Sequence, residues 1–317
     1  MSEETNNTLR QAEAKINIEG ILTEKKLEVK PGKDGKNTIQ GELSIKTSDT
    51  NTVKVRVFVT EFTKAGDQNK AWAGMNTVMR DFHSVAEVGL ENATKVQISN
   101  GNIRLQTYMG KNGLQEGSVS YGASFVNHVD EAKAPYNPHA TFEVEGYVKS
   151  IVPEVNKEGE ETGRLKLNLW VPTYDGIEPM TLFVPEDKAE YVQSNYEMGQ
   201  TVLFKGILCN NVIVKKHVIK MAFGDDTVKK DYSYIDERVV TGGSYPYEEE
   251  KAYSAEAINI AIANREASIE EMKKNGAAAK QAANKGNVAN NVSASGRTFG
   301  GFNGFKMGKN ADGQQMF

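Results

Sequence analysis

The chain has 317 residues and a nearly balanced charge, with 38 lysine and arginine residues against 42 aspartate and glutamate residues. This length suits two domains, and the single cysteine, Cys209, excludes a disulfide framework and a cysteine-rich zinc module. A hydrophobic content of 38% and a mean hydropathy of −0.53 indicate that part of the chain packs no core, and no apolar stretch is long enough for a bilayer.

The N-terminal half has the pattern of a small β-barrel. Residues 1–11 are polar and expected to be disordered, whereas residues 12–132 contain five segments with period-2 alternation of β-branched and aromatic residues. A helical pattern over residues 71–90 lies between the third and fourth segments. Five strands with a helix in this place have the element order of an OB-fold barrel.

The same order then repeats. After a linker at residues 133–140, residues 141–224 contain five strand patterns, the last two over residues 201–208 and 211–221, and one short helix over residues 186–196. Gly20 and Gly146 occupy equivalent places inside the first strand of each copy, where glycine permits the bend or bulge that closes a small sheet. The sequence therefore predicts a mainly β fold with two tandem OB-fold-like five-stranded barrels.

The remaining residues differ in composition. Residues 225–276 form an acidic, tyrosine-rich connector with one predicted helix over residues 254–274, capped near Gly276. Residues 277–317 are rich in Ala, Asn and Gly and are expected to be a disordered tail. Net charge is 0 over residues 12–132, −2 over residues 133–224, −5 over residues 225–274 and +4 over residues 275–317.

No catalytic constellation is recognisable. The chain has no phosphate-binding GxxxxGK[ST] motif and no dinucleotide fingerprint, and its four histidines have no partner at metal-ligand spacing. We therefore expect no enzyme activity, no cofactor and no metal site.

The outward faces of particular strands combine cations with aromatic rings and contain no acid. With the valines of the third strand pointing inward, Lys54, Arg56 and Phe58 point outward. The same alternation places further residues outward on the fourth strand of the first barrel and on the second and third strands of the second barrel, namely Arg104 and Tyr108, then Arg164, Lys166, Trp170 and Phe183.

Lysine and arginine suit phosphates, and flat aromatic rings suit unpaired bases. These nine residues therefore predict a binding surface for single-stranded nucleic acid, although Lys, Arg and aromatic residues also occur on solvated strand faces for other reasons. Trp72 reads as part of the core behind the helix, and Tyr121 and Phe125 read as core residues because they share a face with Val119 and Ala123.

With the doubled barrel over residues 12–224, these strand faces and a tail ending in Phe317, the chain resembles the tandem OB-fold single-stranded DNA-binding proteins of phages and bacteria. The resemblance implies sequence-tolerant coating of exposed strands in replication, recombination or repair. The polar start of the sequence and the lone cysteine predict a reducing compartment, most simply the cytoplasm, which is that of the host cell if the protein is phage-encoded. The tip ADGQQMF has one acid and lacks the acidic end with a terminal Pro-Phe of the bacterial family.

Two hypotheses follow for the function. The first is a single-stranded DNA-binding protein without a membrane partner, which recruits replication or recombination proteins through the acidic connector or the tail. The second is a structural or assembly protein of a virion or scaffold, whose barrels make protein–protein contacts. For the acidic segment 244–253 a solvated linker is the simpler reading, and the tail reads equally well as a loose nucleic-acid contact or as a segment without a specific role.

Overall fold

The computed structural model describes residues 9–32, 35–110, 112–220, 223 and 227–292. The first barrel consists of five long strands and a two-residue strand, with two α-helices and a 3-10 helix (Leu90–Asn92) between its third and fourth strands. The elements are β1 (Ala14–Pro31), β2 (Asn37–Lys46), β3 (Thr52–Thr60), α1 (Lys70–Asp81), α2 (Val85–Val88), β4 (Lys95–Gly110), β5 (Gly113–Gly122) and β6 (Asn127–His128).

The second barrel has the same element order. Its elements are β7 (His139–Val155), β8 (Glu161–Thr173), β9 (Gly176–Val184), α3 (Glu186–Asn195), β10 (Thr201–Ile219) and β11 (Thr227–Gly243), followed by α4 (Ala255–Val292). Residues up to Ile269 form one compact unit, and a second unit begins at Glu270 inside α4.

Strand pairing closes each set of five strands into a ring. In the first set the order is β1-β2-β3-β5-β4 and back to β1, and in the second it is β7-β8-β9-β11-β10 and back to β7. The β3–β5 and β9–β11 pairs are parallel, and the other pairs in the two rings are antiparallel. The prediction of a mainly β fold is confirmed, and the topology that the two sets of five strands share is consistent with an OB-like fold.

The two barrels are also joined by main-chain hydrogen bonds. The first residues of β1 pair antiparallel with the first residues of β7, from Ala14 opposite Val144 to Glu19 opposite His139. Near this junction the Arg10 guanidinium hydrogen-bonds to the Glu145 carboxylate and donates to the Lys251 carbonyl at 2.7 Å. Residues 1–8 of the predicted disordered N-terminus lie outside the described residues.

Gly20 and Gly146 lie where the first strand of each barrel changes partner. Strand β1 pairs with β4 up to Ile21 and with β2 from Ile21 onward, and β7 changes from β10 to β8 at Tyr147. A Cβ at Gly20 would lie 2.4 Å from the Lys46 carbonyl oxygen, and one at Gly146 would lie 2.9 Å from Cδ1 of Leu169. Glycine thus permits the close approach that barrel closure requires.

The structure differs from the predicted strands after residue 200. One long strand, β10, covers residues that the sequence divided into two strands, and the fifth strand, β11, lies in the predicted acidic connector. The polar Cys209-Asn210-Asn211 run looks like a turn, but these residues pair with 235–237 of β11. Pairing across a long two-stranded ribbon supplies backbone hydrogen bonds without needing an apolar face, which is why alternation did not reveal β11.

Two helices also have different bounds from those expected. The predicted helix over residues 71–90 is divided, because Phe82 has extended backbone angles and Ser84 starts α2 with a capping box. Helix α4 continues past Gly276 to Val292, where alanine is frequent and favours the helix. The rest of the predicted tail, residues 293–317, lies outside the described residues.

Candidate nucleic-acid interface

A groove with a volume of about 740 Å³ opens on the first barrel. Strands β2 to β5, the far end of β1 and the loop after β5 line it. Three of the predicted binding residues, Arg56, Phe58 and Arg104, lie in this groove together with Phe125. The groove therefore combines two guanidinium groups with two phenyl rings.

Strand β3 supplies Arg56 and Phe58 because its alternation is regular. Val53, Val55, Val57 and Val59 are at most 3% exposed and pack in the barrel, which turns the intervening side chains to solvent. The Phe58 ring is 58% exposed. Such an exposed apolar ring costs solvation free energy unless a ligand covers it.

The guanidinium groups of Arg56 and Arg104 are available for a ligand. Among the described residues, neither side chain has a hydrogen bond or an ion-pair partner. Lys54, on the same face of β3, differs, since its Nζ lies 3.3 Å from the Glu42 carboxylate. That pair is well exposed and screened by solvent, so a phosphate can compete for the lysine at little cost.

Backbone irregularity in β4 shapes one wall of the groove. Asn100 has φ = 58°, a left-handed conformation, and the pairing of β1 with β4 shifts register nearby. Gly122 faces the Asn102 side chain so closely that a Cβ would lie 2.4 Å from its Oδ1. Strained or glycine-dependent backbone of this kind is frequent at binding sites.

Phe125 is the groove residue that sequence reasoning missed. Its assignment to the core is wrong, because the ring is 54% exposed, whereas Tyr121 is 6% exposed and buried as expected. The alternation that places Tyr121 inside ends with β5 at Gly122, so it does not extend to Phe125 in the following loop. Gly122 and Ser124, which precede Phe125 in the sequence, are residue types that often mark the end of a strand, and they could have indicated that β5 stops before Phe125.

Tyr108 lies on β4 beyond the groove, opposite Gln115, with 42% of its surface exposed. It does not line the groove, and neither does Lys54. Both residues are on strands that form the groove and flank it. Trp72, expected in the core, is partly buried against it.

The four predicted residues of the second barrel do not line the groove either. Arg164 is bound by two carboxylates, with Glu237 of β11 at 2.6 Å and Glu154 of β7 at 3.4 Å, and it stands 5.0 Å from the Phe183 ring centre. Burial lowers the pKa of Arg164, but the hydrogen bond to Glu237 and the two negative charges outweigh burial and raise it. Lys166 is half-buried, opposite Phe183 in the β8–β9 register.

Trp170 is half-buried and has cations over its ring. Lys149 Nζ is 4.4 Å from the ring centre, and the Arg265 guanidinium of α4 is 5.7 Å from it. Arg265 also donates to Thr107 at 2.9 Å and to Glu116 at 3.0 Å on the first barrel. The chain's own helix thus occupies the stacking surface that the sequence assigned to Trp170.

The described residues offer little for other chemistry. No group of three His, Cys, Asp or Glu side chains among them is placed to hold a metal ion. Cys209 is half-buried, and its burial raises the pKa of the thiol, which disfavours the reactive thiolate. No helix in the described part of the chain has the length and apolar character to cross a membrane.

Comparison with known proteins gives a family and several structural neighbours. The YorF family model matches residues 13–275. A search of curated proteins finds no match. Two structures of the single-stranded DNA binding protein from Thermus aquaticus, a deletion mutant and the wild type, are 11% and 12% identical to the chain, with TM-scores of 0.46 and 0.43.

Both Thermus aquaticus alignments cover 75% of this chain, and they cover 97% and 95% of the respective neighbour. A replication protein A heterotrimer bound to single-stranded DNA is 10% identical, with a TM-score of 0.21, and the alignment covers 79% of this chain and 70% of that one.

Proposed function

This chain belongs to the YorF family, and we propose that it is a sequence-tolerant single-stranded DNA-binding protein whose main contact is the groove of the first barrel. One observation carries the proposal: the groove combines two exposed rings, Phe58 and Phe125, with the guanidinium groups of Arg56 and Arg104, which have no partner among the described residues.

The groove matches the two chemical features of a single strand. Arginine contacts phosphate by charge-assisted hydrogen bonds, and an exposed phenyl ring stacks on an unpaired base, at about 1–3 kcal/mol per base. A base within a duplex is already stacked and paired, so the rings favour a single strand. Phenyl rings accept any base, which fits binding without sequence preference.

The second barrel contributes less in this proposal. Arg164 is neutralised by Glu154 and Glu237, and Trp170 is covered by Arg265. Lys166 is only half-buried and extends the surface for a longer strand, whereas the Phe183 ring has the Arg164 guanidinium 5.0 Å from its centre. In the cell, this activity would coat and protect strands exposed during replication, recombination or repair.

Arginine substitutions test the proposal directly. The full chain is titrated into a labelled oligo-dT of about 20 nucleotides, and anisotropy is followed at several salt concentrations. Each phosphate contact contributes a slope of about 0.7 to the fall of log K with log salt, so Arg56→Gln with Arg104→Gln reduces the slope by about 1.4.

Arg80→Gln is the matched control, because Arg80 is an exposed arginine of α1, paired with Asp81 and outside the groove. It should leave both affinity and salt slope unchanged. The proposal is wrong if the unsubstituted chain shows no salt-dependent binding of oligo-dT, or if the Arg80 variant loses as much affinity as the groove variant.

A further inference from the structure

Three tyrosines meet where the end of α3 packs against the segment that follows β11. The Tyr196 hydroxyl donates to the Ser244 carbonyl oxygen at 2.9 Å, and its ring meets that of Tyr191 edge-on, with 6.4 Å between centroids. Burial raises the pKa of Tyr196, and the nearby phenols of Tyr191 and Tyr245 raise it further. We call Tyr191, Tyr196 and Tyr245 the tyrosine patch.

The outer two members of the tyrosine patch are open to solvent. Tyr191 is 57% exposed and Tyr245 is 87% exposed, while Tyr196 is buried beneath them on Phe204. Met198, two residues beyond Tyr196, is 71% exposed. Because the buried Tyr196 supports them, the exposed rings have little conformational entropy to lose when a partner covers them.

Carboxylates flank the tyrosine patch along the chain. Glu190 precedes Tyr191, Glu197 follows Tyr196, and Glu248 to Glu250 follow Tyr245, and all five are exposed. Within the described residues, none of these five side chains has an ion-pair partner. The nearby Lys188 forms an ion pair with Asp187, with 2.7 Å between its Nζ and the carboxylate oxygen. The patch is therefore an aromatic surface flanked by carboxylates that form no ion pair among the described residues.

We propose that the tyrosine patch is the docking surface for the basic segment 297–309 of this chain. That segment, which lies outside the described residues, carries three cations, three phenylalanines and no acid, namely Arg297, Lys306, Lys309, Phe299, Phe302 and Phe305. Its phenyl rings suit the tyrosines and its cations suit the carboxylates.

Charge decides whether segment 297–309 suits the groove of the first barrel or the tyrosine patch. The groove of the first barrel presents Arg56 and Arg104, which repel a segment of net charge +3, whereas the tyrosine patch is flanked by five carboxylates that have no ion-pair partner in the described part of the chain. Single-stranded DNA is the competing ligand for segment 297–309, since the cations and rings of the segment also suit phosphates and bases.

Zero-length carbodiimide crosslinking of the full chain tests the contact. Because the reagent joins an amine and a carboxylate only in direct contact, we expect Lys306 and Lys309 to crosslink to Glu190, Glu197 and the 248–250 run. Glu158 and Glu160, in the exposed β7–β8 turn, are the internal reference. Crosslinks that favour Glu158 and Glu160, or an absence of crosslinks to the patch, would overturn the proposal.

A labelled peptide of residues 295–310 gives the affinity. It is titrated with the full chain carrying Phe299→Ser, Phe302→Ser and Phe305→Ser, so that the chain's own segment does not compete. Tyr191→Ser with Tyr245→Ser should weaken binding about tenfold. Tyr174→Ser, at an 85% exposed tyrosine in the β8–β9 turn, should not weaken it.

Three outcomes of the peptide titration contradict the proposal: no binding to the chain, equal losses in the patch and control variants, or binding to oligo-dT alone. The last outcome assigns the segment to DNA and leaves the proposed function of the groove intact. Failure of oligo-dT binding with preserved peptide binding would instead contradict the proposed function only.

Discussion

Arg265 lies over the indole ring of Trp170, 5.7 Å from its centre, and its Nε donates to the Glu178 carboxylate at 3.3 Å. Glu178 also accepts from the backbone N–H of Thr107 at 2.9 Å. One carboxylate of the second barrel thus binds both helix α4 and strand β4 of the first barrel. The Glu178 carboxylate therefore holds α4 over the Trp170 ring and also joins the two barrels.

Replacing Arg265 with alanine should destabilise the chain and uncover Trp170. The Arg265 and Glu178 side chains are 10% and 14% exposed, so losing the cation should cost about 2–3 kcal/mol in urea unfolding. In a Trp72→Phe background, acrylamide should quench the remaining tryptophan more strongly. Arg80→Ala, at an arginine 76% exposed, should change stability by less than about 0.5 kcal/mol. Unchanged quenching would mean that α4 does not shield the ring.

Local pattern was sufficient to predict most of the barrel architecture. Alternation identified the inward valines of β3, because that pattern repeats every two residues. The order of strands and helix, which occurs twice along the chain, identified two barrels. The same alternation assigned Lys54, Arg56 and Phe58 outward, and all three are exposed.

Contacts between distant segments could not be predicted in this way. Whether Trp170 is free depends on Arg265, 95 positions later, and the charge of Arg164 depends on Glu237 of a strand that lacks an apolar pattern. Phe125 was missed for a local reason, since alternation was extended past the end of β5. Candidate binding residues on a strand face can thus be found from sequence, but not the segments that cover them.

Phe125→Ser should weaken binding of oligo-dT by about tenfold if the ring stacks on a base. Phe58→Ser should weaken binding by a similar factor. If each ring holds a different base, the two losses of binding free energy should add in the double variant. Anisotropy titration at fixed salt measures both. Tyr174→Ser removes a still more exposed ring outside the groove and should have no effect. A Phe125 variant with unchanged affinity would exclude this ring from the binding surface.

Tyr121 should make the stability of the chain depend on alkaline pH. Burial raises the pKa of its phenol from 10.0 to about 12, opposed by the nearby Arg238 charge. Between these values the unfolded chain loses the proton while the folded chain keeps it, so stability falls as pH rises from 10 to 12. The loss of unfolding free energy is about 2 kcal/mol by pH 12.

Tyr121→Phe removes this contribution, so its unfolding free energy should fall less steeply over the same range. The hydroxyl is buried without a hydrogen-bond partner among the described residues, so at pH 7 the variant should be at least as stable as the unsubstituted chain. Urea unfolding at pH 7, 10 and 11 measures both effects. Parallel pH profiles for the two proteins would show that Tyr121 titrates as it does in the unfolded chain.

Gly20→Ala should destabilise the first barrel at its closure point. The added methyl group would lie 2.4 Å from the Lys46 carbonyl oxygen and 2.8 Å from Cγ2 of Ile45, so strands β1 and β2 would have to separate. Overpacking of this kind costs about 1–3 kcal/mol. Gly242→Ala is the matched control, because that strand glycine has no neighbouring atom within 4 Å of its Cβ position. Thermal unfolding should therefore show a lower midpoint for the first variant and little change for the second. Equal midpoints would show that β1 closes the barrel without needing the close approach at Gly20.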